Sequence, residues 1–252
     1  MKLNRYAPER FLRRLAAVPE GAMRVALWRE CFRALPPADS LAVVEAVLAA
    51  LARRTPAAQV AFLALARCLQ DDRSARSTLL AAAAVAGSAE VLGLLADDPP
   101  LRRVEADDLQ APALDNDREI TLGERRAFAR RPDRDLIDRL VFDPDPGVIT
   151  NLLRNPRLVE DHVLRIASRR PNTAEILILV FQHPRWGRRR SVQMALVQNP
   201  YTPVEIAASL ITLFERESLR LLAHDPGLHP LVRAQARARL VPVTADTRDE
   251  PG

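Results

Sequence analysis

Seven arginines, Arg165, Arg169, Arg170, Arg185, Arg188, Arg189 and Arg190, fall in one stretch that holds a single acid, Glu175, and a tryptophan, Trp186. The local balance of +6 exceeds the +5 of the whole 252-residue chain. A guanidinium stays charged at physiological pH and forks onto carboxylate or phosphate oxygens, so such a cluster suits anion binding. If Arg165, Arg169 and Arg170 end one helix while Arg188, Arg189 and Arg190 begin a nearby one, their side chains converge on one surface. A nucleic-acid backbone, an acidic peptide or a phosphorylated partner suits that surface, with Trp186 stacking or filling a pocket. The plainer reading has arginines solvated at helix ends and Trp186 closing the core between adjacent helices.

Other chemistry is weaker in the sequence. His162, His183, His224 and His229 are scattered, and His224 with His229 lacks a third partner at metal-ligand spacing, so no metal or cofactor is expected. No glycine-rich phosphate loop, nucleophile elbow or paired-cysteine motif occurs, which points away from an enzyme. Some helical-repeat DNA glycosylases work in a concave groove with few motifs, and only by that analogy do Trp186, Asp143 and Arg189 suggest catalysis. Cys31 and Cys68 lie inside alanine- and leucine-rich helical patterns and are expected as buried free thiols of a reducing cytoplasm; a disulfide between them is the unsupported alternative.

The elements that position these residues are written in proline. Pro144, Pro156, Pro171, Pro184 and Pro200 follow one another at gaps of 12, 15, 13 and 16 residues, so every second one is 27 to 29 residues on. Short apolar runs such as 148–153 and 191–197 lie between them, which predicts a repeat of two short helices. Composition agrees: 48% hydrophobic but 4% aromatic, with eight glycines against twenty prolines, favours helices over strands. Lys2 is the one lysine among 37 basic residues; the bias fits anion binding, and fits the codon usage of a GC-rich genome better. At this length the chain can bury roughly 70–75% of its unfolded surface.

The region 1–100 predicts a helical array of its own. Pro8 opens a helix bearing Phe11, Leu12 and Leu15; others are expected over 21–35, 40–53, 56–70, 76–85 and 89–96, with Thr55-Pro56 as cap and first-turn proline. Charges at Glu9, Arg10, Arg13 and Arg14 argue against a signal peptide, and the alanine-rich run 77–93 contains Glu90 and is too polar for a membrane span. Residues 101–120 are expected to be an acidic linker or loop, where Glu105, Asp107, Asp108, Asp115, Asp117 and Glu119 surround Arg118. This stretch reads as a solvated connection, with a cover over the basic surface or a metal-binding loop as its functional alternatives; the carboxylates lack calcium-loop spacing.

Over 121–240 the caps recur. Thr121 with Glu124 forms a capping box, Asp145-Pro146 starts a helix, and Asn172 with Glu175 and Thr202-Pro203-Val204-Glu205 offer further starts. The run 176–181 is apolar all round and is expected to be the most buried helix; Arg233, Arg237 and Arg239 suggest a polar terminal face, and 241–252 a frayed tail.

Asp143-Pro144 with Val148, then Asn155-Pro156 with Leu158, Val163 and Ile166-Ala167, resembles the leucine-rich variant repeat, a HEAT-like α-solenoid family of bacteria. Asn199-Pro200-Tyr201-Thr202-Pro203 with Ile206-Ala207 and Asp225-Pro226 with Val232-Arg233 look like further copies. Repeat lengths vary, and the cysteine cluster that accompanies an iron–sulfur centre in some members is absent, so no cofactor carries over. The resemblance implies a curved superhelix with a binding role. The expectation is therefore an all-α, right-handed α-α superhelix in the cytoplasm, acting as a protein-binding scaffold through its arginine surface. Its partner is a protein with an acidic or phosphorylated surface, with nucleic acid as the rival ligand and no membrane association.

Overall fold

Proline and short polar side chains decide where each helix begins. The structure, a computed structural model, describes residues 3–114, 118 and 120–241, and among these the backbone forms fifteen α-helices and no strand. The first six are α1 (Pro8–Ala17), α2 (Gly21–Ala34), α3 (Pro37–Ala52), α4 (Pro56–Asp71), α5 (Arg73–Ala86) and α6 (Ala89–Leu94). Then follow α7 (Leu122–Phe128), α8 (Arg134–Leu140), α9 (Pro146–Leu153), α10 (Glu160–Ser168), α11 (Ala174–Gln182), α12 (Arg190–Gln198), α13 (Val204–Ile211), α14 (Arg216–His224) and α15 (Pro230–Ala238). Proline occupies the first turn of α1, α3, α4, α9 and α15, where its missing N–H leaves no bond unmade. Thr55, Asp72, Asp133 and Asp145 accept first-turn amides, and the Thr121–Glu124 capping box forms as expected. Arg118 and the cap amide hold the Glu124 carboxyl down to about 2.

Four local expectations need correction. α3 begins at Pro37 rather than Ser40, because Pro36 halts α2 and Pro37 already suits the next helix. α5 begins at Arg73 rather than Arg76, because the Asp72 side chain accepts the Ala75 amide. Thr173, not Asn172, caps α11, while the buried Asn172 amide donates back to Ile166 O. Thr202 does not cap α13: its hydroxyl is buried and donates to Leu196 O of the preceding helix.

Helices α7–α15 have only seven to nine residues each and would not persist alone. They stack on helices two elements away, α7 on α9, α9 on α11, α10 on α12 and α13 on α15. The Asx-Pro steps tie these stacks. Asn155, after α9, donates its side-chain amide to Ala129 O and Arg131 O at the end of α7, both at 2.8 Å. Asn199, after α12, does the same to Ala167 O at 2.7 Å and Arg169 O at 2.9 Å at the end of α10. Each Asn oxygen also accepts an amide two residues on, from Arg157 and Tyr201. The proline thus stops a helix while the residue before it satisfies carbonyls that its neighbour leaves open.

One apolar cluster runs from Tyr6 to Leu95 and a second from Ala129 to Ala236, and Leu63 and Ala66 of α4 pack into the second. The most buried short helix is α13, not α11: seven of its eight residues are buried, while Ile178 and Leu179 of α11 stay partly open. α13 is enclosed because it packs on α12 and α15 of its own half and on α4 and α6 of the other. Of the three arginines expected as a terminal face, Arg239 is turned inward: it pairs with Glu90 at 3.0 Å, and with Gln235 donating to Gly93 O it holds the end of α15 on the first half of the chain, while the exposed Arg237 donates to Ala223 O of the neighbouring α14.

The connection from α6 to α7 lies along the second half. Leu101 sits among Val197, Pro200, Val204, Leu228 and Val232, and the Arg102 amide donates to Pro200 O at 3.0 Å. Further on, Leu114 packs on the second core and its carbonyl accepts from Arg139. Glu105, Asp107 and Asp108 make no ion pair with the described residues. Asp115, Asp117 and Glu119 of the expected acidic loop, and the expected tail 242–252, lie outside the described residues.

Candidate functional site

The C-terminal end of every α-helix leaves carbonyls unbonded and carries partial negative charge, and guanidinium groups are suited to both. In this chain arginine side chains from one helix serve that purpose at the end of another. Arg24 donates to Leu15 O of α1, Arg76 to Leu95 O and Ala96 O beyond α6, and Arg169 to Phe142 O beyond α8. Arg170 donates to Gln198 O of α12, Arg190 to Leu213 O beyond α13, and Arg216 to Leu240 O beyond α15. Much of the arginine content is therefore architectural.

The cluster expected from sequence does not converge. α10 and α12 are two elements apart and run parallel: Arg189 lies 3.5 Å from Glu160 at their N-terminal ends, whereas Arg170 reaches Gln198 at their C-terminal ends. Nine residues of helix separate the two sets by roughly 13 Å. Arg165 is held by Asp138 and Asp161, both at 2.8 Å. Trp186 is buried, 1% exposed, with its indole N–H donating to Leu153 O at 3.1 Å, so it closes the core as in the plainer reading. Arg185 lies 4.1 Å over its ring and His183 stacks on it. The backbone around Trp186 is packed so closely that a Cβ at Gly187 would sit 2.0 Å from Phe181 O.

Arg188 is different. Its side chain makes no hydrogen bond and no ion pair with the described residues, and it faces a cleft of about 630 Å³ between the two halves. Around it stand Arg24 of α2, Arg67 of α4 and Arg190 of α12, with Glu20 and Glu215 as the lining acids. Apolar wall comes from Pro19, Val60, Leu63, Pro184 and Leu213. Arg24 and Arg67 are only 8% and 6% exposed, and both are bonded to carbonyls rather than carboxylates: Arg24 to Leu15 O, Arg67 to Phe181 O and His183 O. Burial, then the charges of Arg188 and Arg24, hold the Arg67 guanidinium down to about 10; burial and Arg188 lower that of Arg24. Arg190 is occupied, lying 3.8 Å over the Phe214 ring, and Glu215 faces Arg54 at 3.9 Å. Three guanidinium charges thus share one cleft, and no carboxylate among the described residues forms an ion pair with any of them.

Helix geometry adds to the field. Glu20, Gly21 and Ala22 at the start of α2 line the cleft, as do Arg190 and Gln193 at the start of α12, and neither helix has a side-chain cap. The open amides of both helix starts favour negative charge there. Sequence reasoning found Arg188 and Arg190 but missed Arg24 and Arg67. A signal existed for Arg67, which stands alone in the apolar run from Val60 to Leu69.

No group of three or more His, Cys, Asp or Glu among the described residues is placed to hold a metal ion, and none of their helices is long and apolar enough to cross a membrane. Cys31 and Cys68 are buried free thiols that burial pushes up to about 12, which leaves them unreactive. No family model matches the chain, and neither a characterised protein nor a solved structure does.

Proposed function

We propose that this chain is a non-catalytic binding module, a cytoplasmic α-solenoid of the leucine-rich variant or HEAT-like kind, that captures an acidic segment of a protein partner in the cleft between its halves. One observation carries the reading: Arg24, Arg67 and Arg188 line a single cleft, and no carboxylate of the described residues forms an ion pair with any of them. Like charges held together at a cost in stability are better explained by a ligand than by folding. The stacking of helices two apart and the Asx-Pro ties support the repeat assignment. The buried, unreactive thiols support a reducing compartment.

Nucleic acid is the rival ligand, possessing the right charge. Against it, Arg165, Arg169, Arg170, Arg189 and Arg190 are spent on internal bonds and do not form a continuous basic track. Fluorescence anisotropy of a labelled oligoglutamate peptide and of labelled DNA and RNA, over a salt series, separates the two. The module reading expects peptide binding that Arg188→Ala abolishes and Arg165→Ala spares. Tight binding of DNA or RNA that weakens equally with either substitution would establish a diffuse phosphate-backbone surface instead.

A further inference from the structure

We infer that the ligand group in the cleft is a dianionic phosphate monoester, held jointly by Arg188 from the second half and Arg24 and Arg67 from the first. The inference rests on the binding-module reading above and narrows its chemistry. A carboxylate brings one charge and two oxygens, and satisfies one guanidinium fork. A phosphate monoester brings close to two charges and three acceptor oxygens, which matches three converging guanidiniums better. Arg24 and Arg67 are buried residues, and each already spends donors on backbone carbonyls that fix the direction of its guanidinium. Arg188 is exposed and has no side-chain partner among the described residues, so its fork is open to the ligand. The uncapped starts of α2 and α12 at the same cleft supply further N–H donors.

The cleft is far larger than the phosphate itself, and its remaining wall is apolar through Pro19, Val60, Leu63, Pro184 and Leu213. The phosphate is therefore the head of a larger molecule whose attached part lies on that wall. A phosphorylated side chain of a protein and a phosphorylated small metabolite share this chemistry.

The group invoked by a pH test is the ligand. His183, whose carbonyl accepts from Arg67, is held down to about 4 by burial and by Arg67, Arg154 and Arg185, so it stays neutral above pH 5. Asp71, near Arg67, is engaged by Arg29 and Gln182; Glu20 and Glu215 face the cleft directly. Sulfate remains doubly charged across the range and reports any titration of these groups, whereas a phosphate monoester loses its second charge near pH 6.

Isothermal titration of the whole chain with a phosphoserine nonapeptide, its glutamate counterpart, ribose 5-phosphate and sulfate tests this. At pH 7.5 one phosphorylated probe binds at least tenfold tighter than the glutamate peptide, and which one it is identifies the source. Its affinity falls about tenfold by pH 5.0 while that of sulfate holds. Arg188→Ala lowers it at least tenfold, and Arg24→Lys, which keeps the charge but loses the fork, lowers it severalfold. Equal affinity for the glutamate peptide, lost with Arg188→Ala, overturns the phosphate assignment and leaves the acidic-partner reading standing. Binding of no probe, or binding indifferent to Arg188→Ala, overturns both.

Discussion

Individual side chains in this protein act mostly at the ends of someone else's helix. Asn199 is the clearest case, buried and bonded through one amide to Ala167 O and Arg169 O. Asn199→Ala leaves two carbonyls without donors and opens a small cavity, so it should cost about 2–3 kcal/mol in urea unfolding. Asn155→Ala, with the same pair of bonds one stack earlier, should cost a similar amount. His183 makes a second residue-scale prediction. Its Nδ1 accepts the Arg185 and Trp186 amides as a neutral ring, and burial and three arginines lower its proton affinity to about 4 from 6.5. The unfolded chain takes up that proton first, so stability present above pH 6.5 is lost as pH falls towards 4, and the loss then levels off. The change should be on the order of 2 kcal/mol, and His183→Asn, which keeps an acceptor, should flatten it.

Helix starts were legible because the chemistry is local: Thr55, Thr121 and Asp145 find their amides within three residues. Helix pairings were legible only as a period. What the sequence concealed was anything set by a distant neighbour. Thr202 resembles a cap but its hydroxyl is taken by Leu196 O, and α13 looks less apolar than the run 176–181 until four other helices surround it. The candidate site divides in the same way, since Arg188 announced itself in a run of arginines whereas Arg24 and Arg67 come from helices more than a hundred residues earlier. The connection between α6 and α7 offers a test at this scale. Leu101 anchors it among Val197, Val204 and Val232, yet is 45% exposed, so Leu101→Asp should change global stability by no more than about 1 kcal/mol. The same substitution should make residues 102–114 markedly more sensitive to limited proteolysis; unchanged cleavage would show that the anchor lies elsewhere.

Across the whole molecule the two apolar clusters are coupled at several points. Leu63 and Ala66 of α4 complete the second core, Arg67 bonds the end of α11, and Gln182 donates to Asp71 at 2.6 Å. Residues 121–241 alone would lose these contacts and expose the face of α13 that packs on α4 and α6. That fragment should bind a hydrophobic dye and lack a cooperative thermal transition, measured beside the full chain; a sharp transition would mark the second half as self-sufficient. The last contact in the chain, α15 on α6, has a different consequence. Arg239 on Glu90 and Gln235 on Gly93 join residues more than 140 positions apart, and α15 is thereby pinned to α6. An open stack can lengthen by duplicating a helix pair, because its last unit touches only the one before it. Here a helix pair inserted ahead of α15 would carry Gln235 and Arg239 off their seats on Gly93 and Glu90, so lengthening this stack should cost the contacts that join its two halves.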